Sequence, residues 1–392
     1  MHGAGLHSER LDTATSQPAV AGRMPLLDAV KGVACLLIVG HHLSRYGPLP
    51  AGASSLAPGL FDWLSQDGRL AVQVFLVLAG FLAAGSLAPD GVLRIDRPLA
   101  RIFQRYGRLV MPYLAALTFS VLVAALVRPW LDDEAVPGRP GFGQLLAHGL
   151  LLQDLLGFEA LSTGVWYVAI DFQLFVLALA AISLSELLQR RWAVPRETSR
   201  WLIAGLVTAM VVASLAVFNR HPELDTTALY FFGSYGLGML VFWIGRTTRR
   251  SIWGFAVVLL ALLGAAVLAL DWRSRIATAL VTALAVAVVQ HLDGLSPAGW
   301  PAVGEPLVRL GRISYSLFLI HFPVLLLVST VVSRLLPATP WIDMMGLLAT
   351  LALSIVAAML LYRWVESRPA TWRAVLGLFA GLLACGAIVS LI

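Results

Sequence analysis

The segment LLDAVKGVACLLIVGHHLSRYG, residues 26–47, places ionisable groups in an apolar run: Asp28 and the chain's one lysine, Lys31, near its start, His41 and His42 near its end. A charged residue at the centre of a membrane span costs about 2.5–3.5 kcal/mol on insertion scales, so ordinary anchors avoid such groups. Lys31 and His42 are eleven residues apart, which on a helix is three turns plus about 20°. They share a face, with His42 about 16 Å farther along and His41 turned about 100° away. Asp28 and Lys31, at i and i+3, can pair. The chemistry on offer is a cationic anchor at one mouth of a tunnel and a base deeper inside. The plainer alternative is a snorkelling lysine with histidines at the headgroups.

Four further segments add polar groups. In DRPLARIFQRYGRLVMPY, residues 96–113, Arg101, Arg105 and Arg108 fall within about 60° of one another on a helix. Guanidinium groups suit phosphate, because each can bond bidentately and keeps its charge; plain membrane anchoring is the competing reading. GVWYVAIDFQLFVL puts Trp166, Asp171 and Gln173 in a span, where a carboxylate must face a cavity or a partner. LGRISYSLFLIHFPV aligns Ser314, Phe318 and His321 on one face, and for His321 alone an interhelical structural role competes with chemistry. YRWVESRP offers an Arg363–Glu366 pair at i, i+3 near the interface.

The elements that must carry these groups are membrane helices. The chain of 392 residues is 59% hydrophobic and 13% charged, with mean hydropathy +0.82, against about 25% charged residues in a soluble domain. Eleven apolar stretches reach spanning length: 27–45, 70–88, 107–127, 164–186, 201–217, 228–245, 252–270, 275–292, 313–334, 342–364 and 372–391. With the N-terminus inside, nineteen arginines fall in inner segments and eight in outer ones, which satisfies the positive-inside rule. That distribution assigns the net charge of +6 to membrane orientation and not to nucleic acid. The two cysteines, Cys35 and Cys385, sit in apolar runs and offer neither a disulfide framework nor metal spacing. The first 23 residues are polar, without a signal-peptide core, and read as a disordered cytoplasmic tail. A short amphipathic helix, QLLAHGLLLQDLLG, is expected along the outer interface before the fourth span. Arginine in place of nearly every lysine is associated with GC-rich bacterial genomes, so a bacterial cytoplasmic (inner) membrane is the expected location.

Taken together these segments resemble the membrane-bound acyltransferase-3 family. The family's first-helix pattern, Asp-Gly-x-Arg/Lys-Gly with a histidine eleven residues after the basic residue, is similar to DAVKG and His42. Its FFVLSGFL helix is similar to FLVLAGFL at 75–82, and its Arg-x-x-Arg loop to Arg105 and Arg108. Its W-x4-E-x-Q-F element is similar to WYVAIDFQLF, and the LGRISYSLFLIHFP and YRWVESRP segments are close to its usual forms. Ala29, Ala79 and Asp171 depart from the usual Gly, Ser and Glu; the last shortens the carboxylate whose role is carried over.

The resemblance implies an all-α polytopic membrane protein. Residues 1–25 would form the tail, 26–369 a ten-helix acyltransferase core and 370–392 an additional C-terminal helix. It implies an O-acyltransferase using cytoplasmic acyl-CoA, usually acetyl-CoA, with no metal. The acceptor would be a hydroxyl of an envelope carbohydrate or lipid-linked glycan outside; a transporter or exporter of a glycan or small metabolite is the alternative. Catalysis falls to His42, as general base or acyl carrier, with Asp171 orienting its imidazole if it lies near. Lys31, Arg101, Arg105 and Arg108 would bind the donor. Asp28, Trp166, Gln173, Ser314 and His321 would bind substrate or serve as structural polar groups.

Overall fold

The structure, a computed structural model, describes residues 24–94, 97–193, 195–292 and 304–391; nearly all of the tail expected over residues 1–25 lies outside them. In chain order the helices are α1 (Pro25–Leu43), α2 (Leu49–Ala53), α3 (Pro58–Asp67), α4 (Ala71–Leu87), α5 (Pro98–Val127), α6 (Phe142–Gly149), α7 (Val165–Arg191), α8 (Arg196–Ala216), α9 (Ala228–Gly245), α10 (Arg250–Leu270), α11 (Ser274–His291), α12 (Glu305–Arg312), α13 (Ser314–Leu335), α14 (Pro340–Leu361) and α15 (Trp372–Leu391). Among the described residues there is no strand, and eleven helices are long and apolar enough to cross a membrane. They coincide with the eleven apolar stretches. Pro25, Pro98 and Pro340 open three of them, at a position where the missing N–H would have had no intrahelical partner. α5 starts well before the apolar run at 107 because its arginine-bearing segment is helical too.

Burial separates a core from a rim. About 70% of the best apolar window is buried in α9 and α13, against 11% in α10 and 22% in α15. The core helices approach closely where side chains are absent. A Cβ at Gly80 or Gly238 would collide with the carbonyl of Tyr235 or Val77, which lets α4 and α9 touch backbone to backbone. Likewise Gly32 and Gly311 let the amphipathic α12 lie directly on α1, with the Asp28 carbonyl against Gly311. α12 therefore sits beside Asp28 and Lys31. Parallel packing fixes α1 against α13: Cys35 Sγ donates to the Ser314 carbonyl at 3.3 Å, and one constant offset further along His42 meets His321.

One expectation needs correction. The helix α6 forms, but the segment does not lie along the interface; it folds inward. Leu145 and His148 are buried, α15 packs on Gly149 through Phe379, and the Gly149 carbonyl accepts the Tyr106 hydroxyl at 2.6 Å. Burial depresses the His148 imidazole to about 4. Its Nδ1–H donates to the Gln144 carbonyl at 2.8 Å while Nε2 accepts the Leu161 N–H at 3.1 Å, which ties the inturned segment together.

Candidate active site

The last turn of α1 carries two buried histidines with different duties. His41 Nδ1 lies 3.0 Å from the Leu64 carbonyl and fastens α3. His42 Nδ1 lies 2.7 Å from His321 Nε2. The two rings are 8° from coplanar with centroids 4.9 Å apart, the geometry of an in-plane N–H···N bond. The direction of that bond follows from its neighbours. His321 Nδ1 is 2.8 Å from the Phe318 carbonyl, and a carbonyl only accepts, so Nδ1 carries the hydrogen and Nε2 of the neutral ring accepts. His42 Nδ1 must then donate, which leaves the lone pair of His42 on Nε2. The pair is a base with a second imidazole behind it.

Toward the arginine-rich end of the bundle a cavity of about 990 Å³ opens. Ile38 and Phe318, one helical turn short of the two histidines, are its last residues on α1 and α13. Lys31, Arg105 and Arg108 line it, as the sequence leads one to expect. Arg101 does not: it is exposed on α5 and hydrogen-bonds Gln104 at 3.3 Å. Two of the lining cations already hold carboxylates, Lys31 with Asp28 at 2.7 Å and Arg105 with Asp171 at 2.5 Å. Asp171 thus serves Arg105, and the ring that His42 bonds is His321. The expected orienting role of Asp171 passes to that histidine.

Sequence reading did not place Arg312, Arg368 and Glu366 in a site, yet all three line this cavity. Among the described residues Arg312 and Arg368 have no carboxylate partner. Glu366 does not pair with Arg363. A π-helical turn, Tyr362–Glu366, follows α14 and brings its carboxylate within 2.5 Å of the Ser316 hydroxyl, which donates to it. Such turns recur at functional sites. Both arginines lie in motif segments, LGRISYSLFLIHFP and YRWVESRP, but the sequence reading used them only in the positive-inside count, which carries no positional information.

The remaining expected residues separate into lining and framework. Ser314 lines the cavity but gives its hydroxyl to the Gly311 carbonyl at 2.9 Å, fixing the α12–α13 corner. Gln173 accepts the Ala228 N–H at 3.0 Å and so caps the start of α9. Trp166 stacks on Phe231, 5.6 Å between centroids, and faces a second cavity, of about 580 Å³, at the other end of α4, α7 and α9. Gln73, Asp154, Asp225 and Arg275 join Trp166 there. Burial pushes the Asp154 carboxyl upward, and Asp225 adds to the shift. Between the cavities Tyr167 packs edge-on against Phe75 and Phe318, 6.2 and 5.5 Å away, an aromatic septum.

An all-helical bundle with eleven membrane-length helices, a basic cavity whose lining stops one turn short of a buried imidazole pair, and a second cavity at the opposite end of α4, α7 and α9 defines a polytopic membrane protein. The chain belongs to the acyltransferase-3 family, whose acyltransferase domain matches residues 25–363. It is similar to acyltransferase MdmB of Streptomyces mycarofaciens, 26% identical over 338 residues that cover 77% of this chain and 79% of that protein. No solved structure matches it.

Proposed function

We propose that this acyltransferase is an O-acyltransferase that takes its acyl group, acetyl in the usual case, from acyl-CoA bound at the arginine-rich end. We place that end in the cytoplasm of a bacterial inner membrane, with the N-terminus inside. The acceptor hydroxyl, on a carbohydrate or lipid-linked glycan, enters from the opposite cavity. The donor supplies a thioester whose carbonyl carbon is the electrophile. Arg312 and Arg368, with Arg108, hold its phosphates; the acyl arm runs along α1 and α13 toward Ile38 and Phe318. His42 Nε2 takes the acceptor O–H proton, the C–O bond forms, the C–S bond breaks, and the proton leaves with the thiolate. Base catalysis of this kind contributes about 10²–10⁴ in rate. His321 positions the ring and accepts from its Nδ1–H while the positive charge develops.

One observation carries this reading: the 2.7 Å bond that sets the His42 lone pair on Nε2, one turn beyond the basic cavity. The test is acceptor-dependent discharge of acetyl-CoA by the purified protein in nanodiscs. His42→Ala is expected to abolish discharge while leaving expression and coenzyme A binding intact. Full turnover by that variant removes His42 from the chemistry, and glycan flux without acyl-CoA would favour export.

A further inference from the structure

A third cavity, of about 640 Å³, lies outside the bundle, where the first turns of α5 and α15 diverge at the arginine-rich end. Phe103, Gln104, Gly107, Arg108, Thr371 and Trp372 form its walls. One wall comes from α5; the other, from α15 and the two residues before it, lies beyond the residues the family covers. Its aromatic wall is open, with Phe103 56% and Trp372 49% exposed. Phe103 meets Trp372 edge-on at 5.9 Å, and Trp372 lies nearly parallel to Tyr106, so the aromatic wall is preformed.

The rim is cationic. Arg101 reaches Gln104 on the wall, Arg373 is exposed beside Trp372, and among the described residues neither has a carboxylate partner. Both helices also present their N-termini here, where unpaired N–H groups favour an anion; on α15 Thr371 Oγ1 caps only the Ala374 N–H. No described carboxylate lines the groove to meet the ammonium of a zwitterionic headgroup. An apolar groove at the arginine-rich end, flanked by Arg101 on α5 and Arg373 on α15, suits a ligand with an anionic head and an apolar chain.

We propose that this groove is a binding site for an anionic phospholipid, its phosphate at Arg101 and Arg373 and one acyl chain along Phe103, Trp372 and Val375. The proposal stands apart from the acyl-transfer reading and its readout is not activity. Native mass spectrometry of the intact protein, released from detergent with equal amounts of phosphatidylglycerol and phosphatidylcholine of the same chain length, tests it. One phosphatidylglycerol per chain is expected to be retained over phosphatidylcholine by about tenfold or more, as two arginines near a membrane surface would give. The double variant Arg101→Gln, Arg373→Gln is expected to lose the preference, and Trp372→Ala to lose retention of both lipids. Equal retention by the unaltered protein overturns the proposal, as does a preference that survives the double variant. Displacement of the lipid by added coenzyme A also overturns it, because the groove would then be an annex of the neighbouring cavity, with which it shares Arg108.

Discussion

Replacing His321 with alanine removes the acceptor that His42 Nδ1–H has among the described residues, at 2.7 Å. The bond strengthens as His42 gains positive charge during proton abstraction, so its loss falls on the transition state and not on substrate binding. A hydrogen bond to a charged group contributes about 1.5–3 kcal/mol, equivalent to about a 10- to 150-fold fall in kcat. In the proposed pose the donor's phosphates lie several turns away, so KM for acyl-CoA should stay within about twofold. His321→Gln retains a carbonyl oxygen able to accept from Nδ1–H, and should recover part of the lost rate. The assay is steady-state release of coenzyme A in nanodiscs at saturating acceptor, corrected for folded protein by size-exclusion recovery, because His321 is fully buried and alanine leaves a void. Wild-type kcat in His321→Ala, or a loss expressed only in the donor KM, would refute the relay.

Three further outcomes follow from the same geometry. Arg312→Gln and Arg368→Gln should each raise the Kd for coenzyme A about tenfold, the loss of one charge-assisted bond, whereas Arg101→Gln, outside the cavity, should not change it; isothermal titration with coenzyme A measures all three. Asp171→Ala leaves Arg105 without its partner and should cost up to about 3 kcal/mol, since a third of the Arg105 side chain remains exposed to the cavity; Arg105→Met, Asp171→Leu should restore the melting temperature without restoring donor affinity. His148 titrates near 4 when folded against an ordinary 6.5, so the unfolded chain binds the proton first. Its stabilisation is whole above about 6.5 and lost as pH falls toward 4, about 2 kcal/mol of it between pH 7 and 5. The difference between the wild-type and His148→Gln melting profiles isolates this term, because Asp154, acting in the opposite sense, is common to both.

What could be read in the sequence follows from how far each interaction reaches along the chain. The spans were legible because lipid demands about 20 apolar residues in a row, and the eleven helices answer to that local demand. The relation of Lys31 to His42 was legible because both lie on one helix, whose period fixes their faces. The partner of His42 was not, because His321 is 279 residues away and either histidine alone reads as structural. The partner of Asp171 stayed open for the same reason: a carboxylate in a span announces that it needs a cation or a base, and only the packing of α5 against α7 says that it is Arg105 and not His42. Glu366 was misplaced by a local effect. The i, i+3 rule presumes an α-helical turn, and the chain makes a π-helical one there.

The charges at the basic cavity divide along similar lines, and the division bears on how an anion is held in a membrane. Lys31 and Arg105, two of the cations in the recognisable motifs, are each neutralised by their own carboxylate. A buried pair of that kind fixes geometry at little net charge, so these residues set the shape of the cavity more than its potential. The charge without a carboxylate partner among the described residues comes from Arg108, Arg312 and Arg368, which are exposed where they line the cavity, and solvation there lowers the cost of an unpaired guanidinium. A donor carrying several phosphates would therefore be drawn in by the residues at the mouth and aligned by those deeper in. Titrating coenzyme A at rising salt separates the two roles: the mouth residues should account for most of the salt dependence, because exposed charges are screened and buried pairs are not.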